Sequence, residues 1–354
     1  MYEIDFLPVE SMDGPGSKSG DAITVRLAPT DAGGDEFVVV IDGGYSDVGD
    51  QVVEHLNDYL GTQHVNLIIS THPDADHING LIKIVENCAV DELWIHHPRE
   101  HGRSVVDDSN IEAIDNLIAA ATQAGVAVTE PFTGLTAFGD RIRVLGPTND
   151  YYEQLLDDSL AEAGGATKGL ASAAERAFSK VLAAAGSALD KVLSELPVET
   201  LTDGGDTGPR NNTSVITLMQ CDGRLLLFTG DAGIPALEQA SDEFESRFGS
   251  FALAPLRFMQ IPHHGSKHNV GPTILNRMLG EKGSPHSSLV TAFVSSAKAS
   301  TKHPAAKVVN AFSRRGCDVS ATEGQGIRSH HNGPNRGWTS LTPIGPLDES
   351  GEDE

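Results

Sequence analysis

Short apolar runs closed by glycine, aspartate or histidine set the rhythm of this chain. EIDFLPVE alternates apolar with acidic positions, which predicts a strand with one face buried. DAITVRL follows a glycine-rich turn, and EFVVVIDGG is a continuous apolar run ending in Asp42 and two glycines. A helix is expected over about Asp50 to Leu60, where Val52, Val53, Leu56 and Leu60 share a side. The short strand VNLIIS then runs directly into STHPDADHINGL. Further on, residues 80–87 read as helix, ELWIHH as strand and residues 109–124 as amphipathic helix. VAVTEP, residues 135–140 and RIRVLGP read as strands. Strands alternating with helices, then strands in series, predict two sheets with helices on their outer faces.

The pattern changes between Tyr151 and Pro209, where alanine dominates. Phe178, Val181, Leu182, Ala185, Leu189, Val192, Leu193 and Leu196 recur at helical spacing, and a first helix is expected over residues 151–163. The glycine-rich joint GGATKG separates the two. This helical insertion is expected to cover a sheet edge, to pair two copies or engage a protein partner, or to act as a lid. The β/α rhythm resumes after it. NTSVITLMQ, RLLLFTGD, LRFMQIPHHGS, SLVTAFVSS and CDVSAT read as strands, the last of them the final strand. Residues 234–248 and HPAAKVVNAFSRRG read as helices. No solenoid repeat is visible. One domain over residues 1–345 is expected, containing the insertion at 151–209, with residues 346–354 as a disordered acidic tail.

Composition narrows the class. With 39% hydrophobic and 21% charged residues, the 354-residue chain has the make-up of a soluble globular protein with ample core. No apolar run reaches bilayer length. MYEIDFLPVE has neither a basic start nor an apolar signal core, so a cytoplasmic location without membrane contact is expected. Cys88, Cys221 and Cys317 are far apart and odd in number, which predicts reduced core residues. A formal charge of -25 argues against an extended grip on duplex DNA. It is compatible with a phosphate substrate, because carboxylates loaded with metal ions present positive charge. No glycine loop followed by lysine marks a nucleotide kinase.

The chemistry concentrates in STHPDADHINGL. Side chains two apart on an extended segment share a side, so His72, Asp74 and Asp76 can converge where the strand ends. His77 turns toward a neighbouring point. Such a cluster suits one ion gripped by His72 and Asp74 and another by Asp76 and His77. Asp76 could instead cap the helix that follows. Three other strand ends carry ligand-type residues: Asp42 in IDGG, Asp231 in FTGD, and His263 with His264 in IPHHG.

IDGG, HPDADH, TGD and HHGS, in this order, resemble the metallo-β-lactamase superfamily. Within it they resemble the hydrolase domain of ComEC-type DNA-uptake proteins and their soluble relatives. The likeness includes GDAITV, NNTSV and SSAKASTKHPAAKVV, and it is weakest over the insertion. It implies an α/β fold (α+β), a four-layer αββα sandwich with an inserted helical hairpin. It also implies two divalent ions, zinc or manganese. His72, Asp74 and Asp231 would bind the first ion. Asp76, His77, Asp231 and one of His263 or His264 would bind the second, with His264 favoured and His263 as a phosphate contact. Asp42 would support the loop from below. The chain departs from the commonest superfamily pattern at Asp74 and at Asn211, Asn212 and Thr213, where histidines are usual. These departures are shared with the ComEC-like branch, and they shift preference from zinc toward manganese.

Two ions sharing Asp231 would share a water, lower its pKa and take up charge on the transition-state oxygens. The chemical step is expected to involve Asp76, His263 and His303. Substrate contacts are expected from Asn212, Ser266, Lys267, Lys298 and His303. His96, His97 and His101 are expected on the rim or as structural residues. The leading expectation is a phosphodiesterase or nuclease acting on a nucleic acid or small nucleotide. Alternatives are a lactone, thioester or phosphocholine esterase of the same fold, and a non-catalytic partner-binding module.

Overall fold

The computed structural model describes residues 1–10, 18–28, 36–102, 108–163, 198–283 and 290–350. Two seven-stranded sheets face each other. The first runs β14 (Ile327–His331), β1 (Tyr2–Phe6), β2 (Ala22–Leu27), β3 (Phe37–Gly43), β4 (His64–Ile69), β5 (Ala89–Trp94), β6 (Ala127–Thr129). The second runs β13 (Cys317–Ala321), β12 (Val290–Val294), β11 (Leu256–Gln260), β10 (Arg224–Phe228), β9 (Ile216–Cys221), β8 (Ile142–Gly146), β7 (Thr136–Ala137). Both sheets are mixed. β3 to β6 pair in parallel, as do β10 to β13, and the remaining pairings are antiparallel.

The period-2 alternation within apolar strands explains the layering. In β3, Val39 and Ile41 face the opposite sheet, while Val38 and Val40 face helices. In β10, Leu226 and Phe228 point inward and Leu227 outward. The rings of Phe6, Phe258 and Phe293 meet between the sheets with centroids 5.3–5.8 Å apart. Outside the first sheet lie α1 (Ser46–His55), α2 (Ala75–Ile78), α3 (Leu81–Asn87) and α4 (Asp108–Ala124). α5 (Asn149–Ala163) buries Tyr152, Leu155 and Leu156 and contacts the short α6 (Pro209–Asn212). α7 (Ile234–Phe248), α8 (Pro272–Leu279) and α9 (Ala306–Arg314) cover the second sheet. The result is the four-layer αββα sandwich, helices outside two mixed sheets.

Several expectations are corrected. CDVSAT is not the last strand: IRSHH adds β14 beside β1. β1 is buried on both faces rather than one. Its Glu3 accepts from Arg336 at 3.0 Å and pairs with Arg328, and its Asp5 meets His55 at 3.0 Å. Buried charge of this kind requires partners, and the arginines of β14 and the chain beyond it supply them. α1 starts at Ser46, earlier than expected, and continues as a π-helical segment over Leu56–Leu60. α8 was not foreseen. The second helix of the insertion and the joint GGATKG lie outside the described residues. Leu347 exchanges two hydrogen bonds with Asn310 of α9, and Glu349 pairs with Arg314 at 2.9 Å. Residues 351–354 of the acidic end lie outside the described residues. Cys221 and Cys317 are buried and Cys88 half-buried, all unpaired. Among the described residues, no helix is long and apolar enough to cross a membrane.

Candidate metal centre

β4 ends at Ile69, and Ser70, Thr71 and His72 continue as buried extended chain. The extended geometry stops sooner than expected. Asp74 sits at the N-cap of α2, and Asp76 and His77 project from the helical turn itself. Asp74 makes no side-chain capping bond, so its carboxylate is spent elsewhere. Close packing fixes the turn. A Cβ on Gly80 would lie 1.9 Å from the Gly43 carbonyl oxygen, and one on Gly20 would lie 2.3 Å from that of Asp76.

Asp42, at the end of β3, holds this loop from behind. It has a left-handed backbone (φ 55°). It accepts from the Thr71 amide at 2.8 Å and the Thr71 hydroxyl at 2.6 Å, and lies 2.8 Å from His77 Nδ1. His77 therefore presents Nε2 to the centre. On the opposite sheet, the Asp231 amide donates to Ser214 Oγ at 3.0 Å. After β11, His263, His264 and Gly265 all have positive φ (48°, 56° and 81°), a strained run at the sheet end. His264 Nδ1 donates to the Ser295 carbonyl at 3.1 Å, leaving Nε2 for the centre.

Asp231 stands in the middle. Its Oδ1 is 3.6 Å from His77 Nε2, and its Oδ2 is 3.6 Å from His72 Nε2, 3.5 Å from His263 Nε2 and 3.8 Å from His264 Nε2. Asp74 Oδ2 is 3.8 Å from His72 Nε2. Asp76 Oδ2 is 3.8 Å from His77 Nε2 and 3.6 Å from His264 Nε2. Ligand atoms lie within 4.8 Å of one another in His72, His77 and Asp231, in Asp76, His77 and His264, and in Asp21, Asp231 and His264, so His77, His264 and Asp231 are each shared. Buried His264 reaches both Asp76 and Asp231, while half-buried His263 reaches Asp231.

These donors fit a divalent ion. Ligand atoms about 2.0–2.2 Å from one ion lie roughly 3–4 Å from each other, the spacing seen here. The Nε2 atoms of His72, His77 and His264 and Oδ1 of Asp231 are buried without hydrogen-bond partners. Three such orphaned nitrogens and an orphaned carboxylate oxygen in one cluster are costly unless a cation joins them.

Burial works against charge on Asp231, but His77, His263, His264 and His72 outweigh it and hold its pKa well below the usual carboxylate range. Burial likewise opposes ionisation of Asp76, yet His77 and His264 bring it to about 2. Burial disfavours protonated His77 and His264, but Asp231 and its fellow carboxylates override this, raising His77 well above normal and His264 to about 9. Burial, then the neighbouring His77, lowers His72. In the bare cluster, protons on imidazoles supply the positive charge that the carboxylates demand.

The remaining expected residues separate clearly. His303 stacks on His263 with centroids 6.2 Å apart; burial, then His264 and His263, lower it to about 4. Asn212, expected to meet substrate, turns inward instead. It accepts from the Gly233 amide at 3.0 Å and donates to the Thr207 carbonyl at 3.1 Å. Asn211 takes the place beside His263, 3.3 Å from Nδ1. Ser266 is buried, its hydroxyl accepting from the His268 amide at 3.3 Å. Lys267 is half-buried in the same loop. Lys298 is exposed, on the loop that carries His303. His96 is buried against Tyr152 and Phe132, while His101 contacts Glu130 at 3.2 Å and Glu153 at 3.2 Å.

Two charged residues at the centre were not singled out from the sequence. Asp21 is buried, accepts from Gln260 at 2.9 Å and lies 3.7 Å from His77 Nδ1; burial raises its pKa. Its signal was the carboxylate opening the apolar strand after a glycine in GDAITV. Arg210 reaches Asp74 Oδ1 at 3.1 Å. An arginine in a polar loop carries little local signal.

No family model matches the sequence, and no curated protein matches it. Solved structures match more loosely. A chain assigned to the metallo-β-lactamases from Thermotoga maritima is 10% identical with a TM-score of 0.36, over 70% of this chain and 92% of that one. A metallo-β-lactamase from Hirschia baltica is 11% identical with a TM-score of 0.32, over 69% and 85%. A diphosphatase of the PhnP family is 12% identical with a TM-score of 0.33, over 82% and 86%. Likeness at this level carries no activity, ligand or partner over to this chain.

Proposed function

We propose that this chain is a metal-dependent hydrolase of phosphodiesters, acting on a small nucleotide or a short nucleic acid. The observation that carries the reading is the set of four buried, unpartnered donors on His72, His77, His264 and Asp231. His72, Asp74 and Asp231 would hold one divalent ion, and Asp76, His77, His264 and Asp231 a second, with Asp231 shared. Bound there, such a pair would acidify water and neutralise charge on phosphoryl oxygens. The chain's own groups do the rest. Asp42 fixes the tautomer of His77 through the bond to Nδ1. His263, steadied by Asn269 at 2.9 Å and Asn211, faces the cluster at Asp231. His303, with Nδ1 buried and unpartnered beside His263 and its pKa lowered to about 4, would meet the substrate as a neutral imidazole, by hydrogen bond. Arg210 supplies fixed positive charge at the open side. Carboxylate oxygens outweigh imidazole at the first ion, which suits manganese as well as zinc. The motif likeness to ComEC-type hydrolase domains points to the same bond.

The test is hydrolysis of bis-p-nitrophenyl phosphate by apo-protein reloaded with manganese or zinc, with p-nitrophenyl acetate alongside. Phosphodiester turnover that needs metal and disappears in Asp74→Ala and Asp231→Ala is the expected result. Turnover of the acetate alone would move the assignment to carboxylic esters. Failure to bind either metal would leave a partner-binding module.

A further inference from the structure

A cleft of about 720 Å³ opens beside the cluster on the Asp74 side. One end is polar, formed by His72, Asp74, Arg210 and Asn211. The body is apolar, walled by Ile95 and Ile111, Ile114, Tyr152 and Leu156 of α4 and α5. Its volume is that of a small-molecule site, roughly 300–1,000 Å³, and far too small for a duplex. His96 lines it, stacked on Tyr152 at 4.3 Å. Both His96 nitrogens are buried without a hydrogen-bond partner. In the neutral ring one nitrogen donates and the other accepts.

The geometry points to a substrate-selecting role for this cleft: it receives the non-leaving arm of the phosphodiester and favours a planar heteroaromatic group there, of the nucleobase class. This rests on the phosphodiesterase reading. A group tethered to a phosphate at the cluster passes Asp74 and Arg210 and enters between the α4 and α5 walls. The apolar walls favour a flat, weakly hydrated body. His96 separates a heteroaromatic ring from a plain alkyl chain. A base edge offers both a donor and an acceptor, whereas an alkyl chain leaves the imidazole unsatisfied, and sites with buried polar groups discriminate strongly against such analogues.

The test compares kcat/KM of the metal-loaded full chain for p-nitrophenyl phosphodiesters whose second arm is methyl, octyl, phenyl or thymidine 5′-yl. Each rate is normalised to its uncatalysed hydrolysis. Binding of thymidine 5′-monophosphate against methyl phosphate is measured by calorimetry. The thymidine ester is expected to exceed the methyl ester by about tenfold or more, and to exceed the octyl ester. His96→Leu should shrink the thymidine-to-octyl ratio, a readout that loss of packing alone does not move. Leu156→Trp, which fills the cleft, should shrink the thymidine-to-methyl ratio and covers the case in which His96→Leu fails to fold. Turnover with equal ratios and equal product binding would overturn the proposal and leave the phosphodiesterase reading standing. Absent turnover with discriminating, Leu156-dependent nucleotide binding would uphold the cleft and sink the phosphodiesterase reading. Absent turnover without discrimination would overturn the cleft as well.

Discussion

The two sheets share an order of strands and a sense of pairing, yet their loops carry different loads. Counted from the antiparallel edge, β3 in one sheet and β10 in the other hold the same place, and so do β4 and β11. Each fourth-place strand delivers an aspartate at its end: Asp42 at the end of β3, Asp231 just past β10. Each next loop delivers histidines, His72 and His77 after β4 and His263 and His264 after β11. The equivalence stops at position. Asp231 faces four imidazoles, whereas Asp42 spends its oxygens on Thr71 and His77 Nδ1, one step behind the centre. Equivalent strand ends thus sit in different surroundings, one aspartate among four imidazoles and the other behind one of them, which under the proposed function makes the first a shared donor and the second its support.

That difference is breakable. Asp231→Ala removes the donor that both proposed ions would share, so metal content should collapse at both. Phosphodiester turnover should fall by at least about a thousandfold, or ~4 kcal/mol in barrier. Metal analysis after desalting and single-substrate kinetics check both. Asp42→Asn should act less severely, by roughly 10–100-fold in affinity or turnover, because it loosens His77 without deleting a donor. Saturating metal should still give the wild-type stoichiometry. An Asp42→Asn protein as metal-poor as Asp231→Ala would erase the distinction between donor and support.

The open and enclosed sides of the cluster sharpen the comparison next. Asp76, His77 and His264 lie with buried Asp21 and Asp42, while Asp74 leans on Arg210 at the cleft mouth. Arg210→Met should therefore raise KM about tenfold while moving kcat less, the signature of lost substrate binding. Arg210→Lys should recover part of it, because charge survives but the planar fork does not. An unchanged KM with fallen kcat would place Arg210 with the transition state instead.

What could be read from the sequence follows the same divide. Contiguous donors announce themselves, so His72, Asp74, Asp76 and His77 stood out, as did Asp231 and His264 at the ends of apolar strands. Asp21 and Arg210 act through the fold, not through a local pattern. Asn211 reaches His263 and Asn212 turns inward because the segment is a helical turn, in which adjacent side chains diverge by about 100°. Both sheets were legible from apolar runs. β14 was not, since IRSHH is polar, and its Arg328 is buried only because Glu3 and Asp5 of β1 await it. The short α8 went unseen between two motif-rich loops.

The smallest effect concerns a residue of the cleft wall. Burial, then His101, lowers His96 to about 3, so the folded protein refuses a proton that the unfolded chain accepts below its ordinary pKa of 6.5. The unfolded state therefore binds more protons between those values, and stability falls as pH drops through the window. Above about pH 6.5 the contribution is fully present; toward pH 3 it is lost, at up to ~1.4 kcal/mol per pH unit. His96→Phe keeps a ring against Tyr152 but cannot titrate. Urea midpoints measured from pH 7.5 to 5 should fall more steeply for wild type than for the variant. Parallel slopes would mean that His96 takes up its proton in the folded state, and that the cleft admits water to an imidazole whose nitrogens the structure leaves buried and unpartnered.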